Sequence, residues 1–530
     1  MSMNDNKLYL KQNVVIEPLI NQWYAWSSLL SPATAAMFIT NLHLKIMQSF
    51  VNSPQVHVTA LKNPAMLGGP FINYAASRSG EVRALMEKTV KEQAHMLELA
   101  GAIKTLHEML ISDADGCSLE AMYRRIPELL KGYVELVYDL NNYPSVRFIE
   151  GLLYKSRYYN ESSQSIGLSL SYKDDRPFAL SSPKLEDDSW LNLKIPFRSE
   201  VIDELAKMKS VPQSVEYIRE ALGLGEQNGL FSSLFTETPP PVRAPYTDDG
   251  VRIRYFGHAC LLVETKRLSI LSDPVLSYLY PTDFYRYTYA DLPERIDYVL
   301  LTHNHQDHCM FETLLQLRHR IKTVIVPKNN GGSLADVSMK MALQQLGFHN
   351  VQEIDEMEEI EVADGTITGL PFLGEHADLN IRSKTAFLIE LYGKTMLCAA
   401  DSNNIEPELY EHLHEAIGDI DILFLGMECE GAPLSWLYGP LLTKPVTRKM
   451  DQSRRFSGSD CERGLGIVEK LKPKHVYVYA MGQEPWLTYL TSIQYTDTSR
   501  PIVESNKLVE HCRNLSLVSD RLYGHKELFL

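Results

Sequence analysis

The sequence predicts two domains: an α+β N-terminal domain, mostly helical with a small antiparallel sheet, and a C-terminal α/β sandwich. Three observations predict this. The chain has 530 residues, 45% of them hydrophobic, which exceeds one ordinary domain and suffices for two full cores. The stretch Thr236-Glu-Thr-Pro-Pro-Pro241, followed by Pro245 and the turn-like Asp248-Asp-Gly250, interrupts it; three successive prolines can continue neither a helix nor a central strand. Helical periodicity dominates before that break, whereas short apolar runs alternate with helical stretches after it. The expected divisions are 1–240, a linker at 241–250, and 251–530.

In chain order, Glu81 to Ser112 carries a helical stripe of core positions: Leu85, Met86, Val90, Met96, Leu97 and Leu99. Ser165 to Tyr172 and Trp190 to Ile195 alternate apolar and polar residues, which predicts the small antiparallel sheet. Gly223-Leu-Gly225 reads as a helix C-cap rather than a phosphate loop. Beyond the linker, Val251 to Phe256 and Cys260 to Glu264 form a hairpin around Gly257-His258, and Leu268 to Asp273 is a strand. Ile296 to Leu301 is a buried strand, followed by a helix near 311–320, a strand at Thr323 to Pro327 and a helix near 335–346. Further strands are Thr385 to Leu391, Met396 to Ala400, Ile420 to Leu425 and His475 to Ala480.

Composition excludes several classes. A net charge of −15 argues against nonspecific nucleic-acid binding. No apolar run approaches a membrane span, and the first residues, Met1 to Lys7, show no signal-peptide core. The seven cysteines form no C-x-x-C, and their number is odd, so a reducing cytoplasm is expected. Cys309, beside the motif described next, reads as a small buried apolar residue.

The chemistry concentrates in Leu301-Thr-His-Asn-His-Gln-Asp-His308. His303, His305, Asp307 and His308 offer four metal donors from one loop at a strand end. Chance predicts only on the order of 10⁻³ such runs in a chain of this composition. Rigid strands place loop ligands well, and two more strand ends carry donors. One is Gly374-Glu-His-Ala-Asp378; the other is Asp401, after Met396 to Ala400. A carboxylate there can bridge two ions roughly 3.5–4 Å apart. Adjacent residues of an extended segment face opposite sides, so one of Glu375 and His376 is the ligand, and spacing alone leaves open which.

Gly257-His258-Ala-Cys, Ser272-Asp273-Pro274, the His303–His308 run, Glu375-His376 and Asp401 together resemble the metallo-β-lactamase superfamily. That resemblance implies an αββα metallo-β-lactamase-like sandwich and, as one reading, a dinuclear zinc or iron hydrolase. Members usually supply a late histidine to the second metal. Here the final strand runs into Met481-Gly-Gln-Glu-Pro-Trp486 without one; His475 lies at the strand's other end, and His511 and His525 read as surface residues. The second metal is then left with open positions that suit exogenous ligands.

The whole chain more closely resembles the diiron β-hydroxylase family of chloramphenicol biosynthesis. Its N-terminal landmarks here are Glu17-Pro18, Trp23-Tyr-Ala-Trp26, Gly68-Gly-Pro70, Gly132 to Leu140 and Tyr143 to Phe148. The resemblance implies a non-haem diiron monooxygenase, with O2 and an external electron donor as co-substrates. Its substrate would be an amino acid held as a thioester on the carrier domain of a nonribosomal peptide synthetase. It also implies His303, His305 and Glu375 on one iron, Asp307 and His308 on the other, Asp401 bridging, a redox partner, and a homodimer formed through the N-terminal domain. On the same basis His376 takes a hydrogen-bonding role. His258 and Asp273 read as loop ties beneath the site. Glu428 and Glu430 flank Cys429, where either orients ligands or caps a loop; Glu484 reads as a solvated loop carboxylate. Trp436, Tyr438 and Trp486 read as packing or pocket-lining aromatics. Thr447 to Arg455 is a candidate basic patch for docking an acidic carrier.

Overall fold

The computed structural model describes residues 7–225, 229–241 and 243–530. The extreme N-terminus read for a signal core, 1–6, and Val242 of the linker lie outside the described residues.

Two seven-stranded sheets build the C-terminal half. The first runs, edge to edge, Val351–Ile354, Ile321–Pro327, Ile296–Leu300, Ser269–Ser272, Cys260–Glu264, Arg252–Gly257 and Lys526–Phe529. The second runs Glu359–Val362, Gly365–Leu370, Ala386–Leu391, Lys394–Cys398, Ile422–Gly426, His475–Tyr479 and Val518–Arg521. Parallel neighbours need crossovers. Helices Phe311–Leu317 and Met339–Gln345 supply them in the first sheet; Glu408–Ile417, Cys461–Leu471 and Arg500–Asn514 do so in the second. The result is the expected αββα sandwich.

Strand alternation explains why both faces of each sheet are dry. Ile253, Tyr255, Leu261, Val263 and Ile270 point between the sheets, against Ile367, Phe387, Ile389, Met396 and Phe424. Phe256, Leu262 and Leu271 point the other way, into a core shared with the N-terminal half. That half holds a four-stranded antiparallel sheet ordered Trp23–Tyr24, Val14–Ile20, Gln164–Leu170 and Trp190–Leu193. Helix Phe311–Leu317 is buried on every side, because Val14–Ile20 and helix Glu200–Lys207 cover the face it turns away from its own sheet.

Some elements differ from expectation. The 81–112 stripe is two helices, Ser79–Glu92 and Ala94–Asp113, parted at Gln93. The first buries Val82, Leu85 and Thr89, which leaves Val90 47% exposed. The helix expected near 335 begins at Met339, where the Ser338 hydroxyl accepts from the Met341 amide. Gly223, with φ of 67°, caps helix Val215–Ala221 as read.

Candidate metal centre

The donor residues sit where strands stop, and the backbone there is unusual. His258, Asp273 and Glu375 have φ of 50°, 34° and 67°; Ala400, before Asp401, and Ala480, after strand His475–Tyr479, have φ of 47° and 51°. Non-glycine residues rarely adopt this left-handed geometry, and such strain gathers at functional sites. Gly374 has no room for a side chain: a Cβ there would lie 2.5 Å from that of Asn403. Segment 374–378 is therefore a tight turn, not the extended stretch expected, and alternation does not force Glu375 and His376 to opposite sides.

Three donor clusters result, each with its atoms within 4.8 Å: His303, His305 and Glu375; His303, His308 and Asp401; and His258, Asp307 and His308. His305 Nδ1 lies 2.9 Å from Glu375 Oε1 and 3.1 Å from His303 Nε2. Asp401 Oδ2 lies 3.0 Å from His308 Nε2 and 3.4 Å from His303 Nε2, between the two halves of the site. Below, Asp273 accepts from the Thr302 amide at 2.8 Å and the Thr302 hydroxyl at 2.6 Å, and contacts His308 Nδ1 at 2.8 Å. These contacts fix the ring so that Nε2 faces the cluster. His258 Nδ1 accepts from the Gly482 amide at 3.1 Å. A neutral ring then carries its proton on Nε2, 3.5 Å from Asp307 Oδ2, and orients that carboxylate as a donor.

The electrostatics call for cations. Burial, reinforced by neighbouring imidazoles, holds His303 well below its ordinary value; burial pushes His305 down to about 4. Both rings therefore keep free lone pairs. Burial, then Asp401 and Asp307, push Glu375 well above the carboxylate range, and Glu428 responds the same way. Burial also opposes charge on His308, but Asp401 and Asp273 outweigh it and raise that ring. Asp401 Oδ1, Glu428 Oε1 and His376 Nε2 are buried without a hydrogen-bond partner among the described residues. Crowded carboxylates facing the neutral His303 and His305 rings fit two divalent metal ions, whose charge would restore the ionised carboxylates and displace the proton that Asp401 and Asp273 hold on His308. The donors are nitrogen and oxygen only, a set that suits iron as well as zinc.

The remaining candidates fall on either side of the site. His376 bonds through Nδ1 to the Tyr438 hydroxyl at 3.0 Å and belongs to no donor cluster. Burial and the charge of Asp401 act on Glu428 and raise it, whereas Glu430 is exposed and pairs with Arg500 at 3.5 Å. Glu484 is buried and accepts from Tyr255, which corrects its reading as a solvated carboxylate: the loop after strand His475–Tyr479 folds inward over the first sheet. Trp486 packs beside Leu487, Tyr489 and Val275; Trp436 lines a cavity. Cys309 is buried in the core. Sequence reasoning gave no role to Thr302, which ties Asp273 to His303 and His308, or to Tyr479, whose hydroxyl accepts from the Ala400 amide at 3.0 Å. The position of Thr302, directly before the first histidine, was the available signal.

A family model described as the diiron non-heme beta-hydroxylase N-terminal domain matches residues 9–239, and one described as the beta-lactamase superfamily domain matches residues 269–432. The chain is 40% identical over 530 residues to a 4-amino-L-phenylalanyl-(CmlP-peptidyl-carrier-protein) 3-hydroxylase of Streptomyces venezuelae, a match covering 98% of this chain and 99% of that protein. It also matches the crystal structure of CmlA, a diiron β-hydroxylase from Streptomyces venezuelae, with a TM-score of 0.93 at 39% identity over 99% of both chains. On the strength of that full-length identity, the chain belongs to the diiron non-haem β-hydroxylase family.

Proposed function

We propose that this enzyme hydroxylates the β-carbon of an amino acid tethered as a thioester to a nonribosomal peptide synthetase carrier domain. The observation that carries the reading is Asp401 Oδ2 set between His303 and His308, with Glu375 completing the His303–His305 side. His303, His305 and Glu375 would hold one iron, Asp307 and His308 the other, and Asp401 both. Two irons bound there supply reductive activation of O2, with electrons from an external donor. The chain's own part is positional. Asp273 and Thr302 lock the His308 and His303 rings, and His258 holds Asp307 in place. Tyr438 bridges His376 at 3.0 Å and His305 Nε2 at 3.4 Å, closing that side with a neutral, buried phenol.

The carrier would dock beside helix Arg448–Ser453. Lys444, Arg448 and Lys449 are exposed there, outside any ion pair among the described residues. Arg454, just beyond the helix, donates to the Ala377 carbonyl of the Glu375 turn at 2.8 Å, so the patch adjoins the site. A homodimer is part of the proposal. Hairpin Val134–Tyr138/Pro144–Phe148 supports it by holding Leu140 and Tyr143 at its tip, clear of the chain's own core.

The test is anaerobic iron loading, then incubation with aminoacyl carrier protein, reductant and O2. Gain of one oxygen atom on the tethered amino acid is expected. Full zinc occupancy with hydrolysis of a generic ester, and no oxygen gain, would overturn the proposal.

A further inference from the structure

Strand His475–Tyr479 lies inside the second sheet, and alternate residues of a strand share one face roughly 6.6 Å apart. Val476 and Val478 point into the core beneath helices Glu408–Ile417 and Cys461–Leu471, whereas Tyr477 and Tyr479 point between the two sheets. His475 stands partly exposed at the end of the strand away from the metal centre.

The rings on this face are contiguous. Tyr479 and Phe424, of the neighbouring strand Ile422–Gly426, have ring centres 5.7 Å apart; Phe424 and Tyr477 are 5.6 Å apart, and Tyr477 and His475 6.2 Å. The inner end is tied to the site, because the Tyr479 hydroxyl accepts from the amide of Ala400, the residue before Asp401. At the outer end the Tyr477 hydroxyl lies 3.5 Å from His475 Nδ1. Both tyrosines are buried. A phenylalanine would fill either place without the cost of burying a hydroxyl. The Ala400 amide offsets that cost for Tyr479, but Tyr477 meets only the long contact to His475 among the described residues.

A phenol gives up an electron readily when its proton can leave with it, and an imidazole at a surface is a proton carrier. Resting on the O2-dependent hydroxylase reading, we propose that Tyr479, Phe424, Tyr477 and His475 form a relay that drains oxidising equivalents from the metal centre when O2 activation is not followed by hydroxylation. One electron leaves Tyr477 and crosses Phe424 and Tyr479 to the oxidised centre. The Tyr477 O–H bond breaks, its proton goes to His475 Nδ1, and a neutral tyrosyl radical stands beside an imidazolium. The external donor that hydroxylation already requires returns the electron, and His475 returns the proton. Without the relay the oxidation falls on side chains beside the site, among them the buried thiols Cys309 and Cys398, whose higher oxidation states are irreversible.

The test uses the full-length enzyme with two ferrous ions and carrier-bound glycine, which has no β-carbon to attack. Samples mixed with O2 and frozen at intervals are read by EPR. A tyrosyl radical that ring-deuterated tyrosine narrows is expected in the parent. Tyr477→Phe should lose it, with the melting temperature unchanged, and should gain oxygen on the peptides holding Cys309 or Cys398 by mass spectrometry. Tyr410→Phe, on the opposite face of the sheet, should keep the radical. Should Tyr477→Phe not fold, His475→Leu, which removes the proton acceptor, should lose the signal instead. A radical that survives in folded Tyr477→Phe and vanishes in Tyr438→Phe or Tyr255→Phe places the hole elsewhere and overturns the relay. Carrier-bound phenylalanine given to the parent separates the two readings. Hydroxylation there, with no radical in the glycine experiment, overturns the relay and leaves the activity standing. A Tyr477 radical without hydroxylation of any carrier-bound amino acid overturns the activity and leaves the relay; absence of both overturns both.

Discussion

Glu375 and His376 stand side by side, yet their surroundings separate them. The carboxylate reaches His305 at 2.9 Å, whereas the imidazole is spent on the Tyr438 hydroxyl. Glu375→Ala is therefore expected to lower iron from two per chain to about one. His376→Ala should retain both at saturating iron, with affinity reduced about 10–100-fold. Metal analysis after gel filtration separates the two, and the reverse pattern would transfer the ligand role to His376. Thr302→Val should also weaken iron binding about 10–100-fold while leaving every proposed ligand in place, because it unlocks Asp273, His303 and His308 together. The histidine run was legible because four donors fall within six residues. The choice at 375 was not, because it depends on a left-handed turn that alternation arguments assume away.

At the scale of elements, the strands that end at donors were readable as apolar runs, and those that frame them were not. Glu359–Val362 is half charged and partly exposed, Gly365–Leu370 is interrupted by glycines and threonines, and Lys526–Phe529 is an edge strand that alternates between partly exposed and exposed. Each acquires its structure from the neighbour it pairs with rather than from its own composition. Segment Thr447 to Arg455 was legible as a basic patch but not as a helix, and the hydrogen bond of Arg454 to the Glu375 turn gives helix Arg448–Ser453 a testable role. The double charge reversal Arg448→Glu, Lys449→Glu should raise KM for the carrier-bound substrate about tenfold, with kcat nearly unchanged. Added salt should weaken the parent enzyme more than the variant. A fall in kcat at constant KM would place the helix in catalysis rather than docking.

Across the whole molecule, the proline-rich break marks a change of pattern but not of core. Leu10, Val14, Ile16 and Leu205 share one apolar cluster with Phe256, Leu271, Val299 and Leu314. Lys209 pins the same junction: its buried amino group donates to the Val14 carbonyl at 2.9 Å and to Gln316 at 2.7 Å. Burial pushes Lys209 down to about 7 from an ordinary value of 10.5. Between those values the unfolded chain binds the proton and the folded one does not, so this group favours folding more as pH rises and less as pH falls toward 7. Stability of the parent should thus rise between pH 7 and 9 relative to Lys209→Met, by on the order of 1–3 kcal/mol in denaturant titrations. A difference constant with pH would show that Lys209 is charged in the fold. The shared core makes a further prediction. Exposing a buried leucine or phenylalanine costs about 1.5–3 kcal/mol, so uncovering Phe256, Leu271, Val299 and Leu314 together rivals the 5–15 kcal/mol that holds an ordinary domain folded. A chain of residues 251–530 alone should therefore aggregate or melt far below the full protein. Proteolytic nicking within 237–245 should instead leave two fragments that elute as one particle and still bind two irons. If the nicked halves separate in buffer without denaturant, the domains are independent and the shared core is not a permanent feature of the enzyme.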